Sequence, residues 1–134
     1  MGTVKYVLDT VALARYLEGN VPETVDKIFN DAEEGNAKII IPHIVIGEFI
    51  YIALKGRLRV DDPEETIIEL LNKINDSDIF EIRDMEIADW HTFLDIKIPE
   101  MHDRMIAAIA KNLNAPVITT DEEISKSRVV DVVW

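Results

Sequence analysis

Short apolar runs punctuate this chain, and most of them stand just before a segment with helical spacing. Val4 to Leu8 is β-branched and apolar, the pattern of a buried strand, and it stops at Asp9. Thr10 to Leu17 then sets Leu13, Ala14 and Leu17 on one helical face before Gly19-Asn20. Pro22 to Glu34 predicts a second helix, with proline in its first turn, Val25, Ile28 and Phe29 as its stripe, and Gly35 as its stop. Lys38 to Ile41 is a second strand cut by Pro42, and Ile44 to Lys55 a helix stopped by Gly56. Asp62-Pro63-Glu64-Glu65 joins a capping side chain, a proline and first-turn acids, so a helix starts there and runs to about Asn75. Ile79 to Ile82 is a weaker strand. Asp84 is placed to cap a helix carrying Ile87, Trp90 and Leu94, which ends before Pro99. Asp103 to Leu113 is a further helix, followed by strands at Val117 to Thr120 and Val129 to Trp134.

Strands separated by helices imply a parallel sheet covered on both faces, so the expected class is α/β, a three-layer α/β/α domain spanning residues 1–134. With 48% apolar residues the chain can bury one proper core. The N-terminus enters a strand almost at once, without a basic-then-apolar segment. The longest stretch nearly free of charge, Ile39 to Leu54, is too short to span a bilayer and contains Pro42 and Glu48. There are no cysteines, which excludes disulfides and thiolate chemistry. A cytoplasmic protein without a membrane segment is the simplest expectation. The net charge of −12 argues against nucleic-acid binding through an overall basic surface. It leaves room for a nuclease with acids concentrated in a metal site, and it favours a basic protein partner.

Asp9, Glu48, Asp103 and Asp121 each close or follow one of the apolar runs. In an open parallel sheet the strand ends meet at one edge, where ligands bind. Four carboxylates there repel one another unless a divalent cation holds them, and oxygen donors suit Mg²⁺ or Mn²⁺. Taken singly, Asp9, Asp103 and Asp121 each read equally as helix caps. Glu48 does not, because its helical neighbours Ile44, Val45, Tyr51 and Ile52 put it on an apolar face. It should be buried there, partnered by a cation or by an arginine such as Arg104.

These residues also carry a resemblance. The segments VLDTVAL, IPHIVIGEFIYIAL and above all MHDRMIAAIAKNLNAPVITTDEEI resemble the PIN domain family of metal-dependent ribonucleases, especially single-domain toxin nucleases of VapC type. The resemblance implies that Asp9, Glu48, Asp103 and Asp121 are the metal-binding quartet. It also implies catalytic hydroxyls at Thr10 and at Thr120 or Thr119. The family often has Ser or Asn two residues after the first acid, where this chain has Val11, which weakens the hydrogen bonding expected around Asp9. The implied activity is Mg²⁺- or Mn²⁺-dependent endoribonuclease chemistry on an RNA substrate. The implied partners are a small antitoxin protein and a second copy of the chain in a homodimer. A PIN-type nuclease in RNA processing without an antitoxin is the alternative.

Other motifs are weaker. Leu94 to Met101 is similar to the phosphoacceptor segment of receiver domains, but only Asp9 follows the first strand and Asp95 leaves too little chain after it. His102-Asp103 resembles a phosphohydrolase motif built on an all-helical frame, which the strands contradict. His43 reads as a loop residue and His91 as a partly exposed helix residue. Lys55-Gly56-Arg57-Leu58-Arg59 is the densest basic cluster, read either as an RNA contact or as solvated cations at a helix C-terminus. Arg104, next to a proposed ligand, and Thr119 are candidates to touch substrate or a partner. Trp90 and Trp134 read as core or interface residues.

Overall fold

A computed structural model describes residues 3–134. The described residues form, in order, β1 (Val4–Leu8), α1 (Thr10–Leu17), α2 (Glu23–Glu33), β2 (Ala37–Pro42), α3 (His43–Leu54) and α4 (Pro63–Asp76). There follow β3 (Phe80–Arg83), α5 (Ile87–Asp95), α6 (Met101–Leu113), β4 (Val117–Ile118), α7 (Glu122–Ser127) and β5 (Val132–Val133). All five strands are parallel, in the order β3-β2-β1-β4-β5. The fold is the three-layer α/β/α class expected from the alternation of strands and helices. Ile39, Ile40 and Ile41 alternate between the two sheet faces and each is at most 1% exposed, so helices cover both sides.

The strand order creates the site. From β1 the chain crosses to β2 and β3 on one side, and later to β4 and β5 on the other. A ligand crevice opens at such a reversal, beyond the C-terminal ends of the two strands that flank it. The register pairs Leu8 with Ile118, so Asp9 and Thr119 leave the sheet side by side. Helix α6 runs through both apolar cores. Its Ile106, Ile109 and Ala110 join the main one, while Ala107 and Ala108 pack with Ile96, Ile98 and Ile124 in the second. Small alanines permit that close double packing and fix the start of α6 near the crevice.

Several boundaries differ from expectation, each for a local reason. Strand β4 stops at Ile118 rather than Thr120, because the Thr119 hydroxyl accepts the Asp121 N–H at 2.9 Å and turns the chain. β5 is confined to Val132–Val133 after Arg128 takes a left-handed conformation at φ 56°. α5 is capped at Glu86 rather than Asp84, with Asp89 accepting the Glu86 N–H at 2.9 Å. Asp84 instead pairs with His43, which opens α3 and is not a loop residue. α6 begins at Met101 with Glu100 as its cap, accepting the Asp103 N–H at 2.7 Å, so Asp103 sits in the first turn and is not the cap. Among the described residues, no helix is long and apolar enough to cross a membrane.

Candidate active site

Asp9, Thr10, Val11, Glu48, Ile52, Asp103, Thr120 and Asp121 line one cavity of about 180 Å³ at the C-terminal edge of the sheet. The four acids come from four places. Asp9 follows β1, Glu48 is in the second turn of α3, Asp103 is in the first turn of α6, and Asp121 follows β4.

Asp9 is both a cap and a member of the cluster. One carboxylate oxygen accepts the Ala12 N–H at 2.8 Å and the other accepts the Thr119 hydroxyl. Those two bonds supply what Val11 cannot, and Val11 itself is exposed on the cavity wall. Burial pushes the Asp9 carboxyl up to about 6, against the pull of its two hydrogen bonds, and the Asp121 and Glu48 charges push the same way. Burial and the neighbouring Asp121, Glu100 and Asp9 raise Asp103 to about 7, and Asp121 lies close enough to share a proton with it. Asp121 also doubles as a cap, accepting the Ile124 N–H at 2.9 Å. Carboxylates displaced this far upward mark a site short of positive charge.

Glu48 departs from expectation. Its side chain is 31% exposed rather than buried, and its partner is not Arg104. Thr10 donates its hydroxyl to Oε1 of Glu48 at 2.8 Å, and Nδ1 of His102 lies 3.1 Å from Oε2. The same His102 nitrogen lies 3.0 Å from Oε1 of Glu100. Sequence reasoning dismissed His102 and did not single out Glu100. The signal that would have found them is the i, i+2 placement of Glu100 and His102 just ahead of Asp103, at the start of a helix aimed at the crevice.

Arg104 is engaged by the neighbouring helix. It does not line the cavity; its guanidinium donates to the carbonyls of Phe93 at 2.8 Å and Leu94 at 3.3 Å and lies over the Phe93 ring. It therefore satisfies the C-terminal end of α5. The hydroxyls divide their work: Thr119 is buried against Asp9, whereas Thr120 is exposed on the cavity wall.

The oxygen-rich donor set fits a hard divalent cation. As placed, no three acidic or histidine side chains among the described residues converge on one point.

A sequence model described as PIN domain matches residues 6–129. The chain belongs to the PIN domain family. Its fold resembles that of VapBC2 from Rickettsia felis, solved bound to a DNA fragment from their promoter, at 19% identity and TM-score 0.72 over 97% of this chain and 98% of that one. FitAcB from Neisseria gonorrhoeae is similar at 19% identity and TM-score 0.68, covering 96% of each chain. VapBC-1 from nontypeable Haemophilus influenzae is similar at 21% identity and TM-score 0.64, covering 97% of each. Among curated proteins, no sequence matches. PIN domains are generally nucleases, a class of hydrolase.

Proposed function

We propose that this PIN domain is a Mg²⁺- or Mn²⁺-dependent endoribonuclease and the toxin of a VapBC-type toxin–antitoxin pair. The observation that carries the reading is the gathering of four carboxylates around one cavity that no lysine or arginine among the described residues lines, two of them pushed well above the usual carboxylate range. Asp9, Glu48, Asp103 and Asp121 would hold the ion. When bound, it would lower the pKa of a water and neutralise charge on the phosphodiester. The chain's own groups do the positioning. Thr119 and the Ala12 amide orient Asp9, Thr10 orients Glu48, and Thr120 lines the cavity a phosphate would enter.

The likeness to chains of VapBC assemblies supports an antitoxin partner, and the net charge of −12 suits a basic segment of that partner. Ile87, Trp90 and Leu94 form an exposed apolar stripe on α5, which supports a homodimer. The reading places the protein in the cytoplasm.

The test is cleavage of single-stranded RNA in Mn²⁺, with and without chelator, by the natural chain and by Asp103→Asn. We expect chelator to abolish cleavage and the substitution to lower it by at least about a hundredfold, the scale of losing a metal-held electrostatic contact. Cleavage that survives chelator, or full activity in the variant, overturns the proposal.

A further inference from the structure

Lys55, Arg57 and Arg59 are exposed, and no carboxylate among the described residues lies within ion-pair distance of their charged groups. Six other cations are engaged: Arg15 by Glu18, Lys38 by the Asp78 carbonyl, Lys73 by Tyr16, Arg83 by Asp89, Arg104 by α5, and Lys126 by Glu122. Lys5, Lys27, Lys97, Lys111 and Arg128 have no such partner among the described residues but are scattered along the chain, whereas Lys55, Arg57 and Arg59 fall within five residues, and of these three Lys55 alone has a neighbour, the Tyr51 ring at 4.5 Å. The helix dipole accounts for Lys55 at the C-terminal end of α3, but its effect fades within the last turn and leaves Arg57 and Arg59 unexplained.

The loop that carries them is held in place. Gly56 takes φ +72°, a left-handed turn that closes α3. Leu58 is buried in the main core between the two arginines. The Arg57 N–H donates to the Ile52 carbonyl at 3.2 Å, and the Arg59 N–H donates to Glu18 at 2.9 Å. Burying Leu58 turns its two neighbours outward, so the cations are displayed on a fixed frame. The loop also continues the face that reaches the cavity. Glu48 and Ile52 line it, and Lys55 lies one turn beyond Ile52, about 10 Å along the helix from Glu48. On α1, Val11 lines the cavity and Arg15 follows four residues later.

An acidic cavity repels a polyanion, so a nuclease with this charge needs cations close by to retain its substrate. We propose that Lys55, Arg57 and Arg59 bind the phosphate backbone of single-stranded RNA flanking the phosphodiester at the acidic cavity. This deepens the nuclease reading and rests on it for the position of the scissile phosphate. Contacts of this kind hold the strand without reading its sequence.

The experiment follows binding of a fluorescent mixed-sequence single-stranded RNA by anisotropy across a salt series, in Ca²⁺, for the natural chain and for K55Q/R57Q/R59Q with Leu58 retained. Cleavage of the same RNA in Mn²⁺ is measured beside it. Three lost phosphate contacts should flatten the slope of log affinity against log salt by about 2, at about 0.7 per contact on a single strand. KM should rise at least about tenfold at low salt while kcat holds. Arg57→Glu alone should shift binding the same way to a smaller degree, with an unchanged melting temperature. An unchanged slope, or no RNA binding by the natural chain, overturns the proposal; the first is the outcome if the cluster serves an acidic protein partner. A flattened slope with no cleavage by the natural chain leaves the backbone contact standing and removes the nuclease reading. Cleavage with an unchanged slope does the reverse.

Discussion

Asp9 and Asp89 are two buried aspartates in one small domain, 4% and 0% exposed, and their surroundings push them in opposite directions. Burial raises both. At Asp89 it is outweighed by the Glu86 N–H, the Asn112 amide at 2.8 Å and the Arg83 guanidinium at 2.9 Å, so its pKa falls below the ordinary value. At Asp9 two hydrogen bonds do not suffice, and Asp121 and Glu48 add repulsion, so its pKa climbs to about 6. The difference separates two uses of a buried carboxylate. Asp89 ties β3, α5 and α6 together and receives its compensating charge from the chain. Asp9 receives none, which is the condition for taking a cation from solution.

The sharpest way to break this comparison is to neutralise each residue. Asp89→Asn removes the buried partner of Arg83 and leaves its guanidinium only the exposed Glu86 at 3.5 Å and the Asp84 carbonyl at 3.2 Å, which should cost about 3 kcal/mol in denaturant unfolding. Asp9→Asn keeps an oxygen for the Ala12 amide and relieves repulsion. In metal-free buffer near neutral pH it should change stability by no more than about 0.5 kcal/mol, in either direction. Equal losses at the two positions would show that Asp9 is structural in the same sense as Asp89.

A smaller effect lies in the pH dependence of the metal-free chain. Asp9 and Asp103 bind a proton more tightly when folded, near 6 and 7 against an ordinary 3.8, so the folded state holds more protons through that window. Stability should therefore fall as pH rises from about 4 to about 7, by about 2 kcal/mol once mutual coupling and the partial exposure of Asp103 are discounted. Asp89 acts with the opposite sign: its contribution is present above 3.8 and is lost as pH falls through its depressed folded value. Asp103→Asn should flatten the first slope and leave the acid limb unchanged. A stability curve that rises through the same window in the natural chain would contradict the account of the cluster.

The order of strands and helices was legible from apolar runs and their punctuation, because the central runs, such as Ile39 to Ile41, are buried on both sheet faces and the starts and stops have physical causes, such as Asp62-Pro63 and Gly56. The boundaries that shifted did so through side-chain bonds that spacing does not announce, as when the Thr119 hydroxyl ends β4 or Glu100 moves the cap of α6 upstream of Asp103. The four acids at one edge followed from the fold class, since each ends or follows an apolar run. What spacing could not supply was the company they keep. Arg104 looked like a ligand-side cation and is held by the carbonyls of α5, while Glu48 looked buried and is half-open. The first depends on how α5 and α6 pack and the second on how α3 meets α1 and α6, contacts between segments that no local pattern records.

His102 is where that packing meets the acidic site, and it gives the smallest of these effects. Its Nδ1 sits about equally far from Glu48 and Glu100, so one donor restrains two carboxylates, and only one of them lines the cavity. It acts through Glu48 as a positioning residue. His102→Ala frees Glu48 to swing toward solvent and should weaken Mn²⁺ binding about tenfold, the scale for losing a group that orients a ligand, or about 1.4 kcal/mol. The readout is the rise in melting temperature with Mn²⁺, which reports binding to the folded state alone. His102→Asn can place an amide donor near the same point and should recover most of the affinity, a rescue that a purely space-filling role would not produce. Unchanged Mn²⁺ binding in His102→Ala would mean that the Thr10 hydroxyl, at 2.8 Å, is enough to hold Glu48.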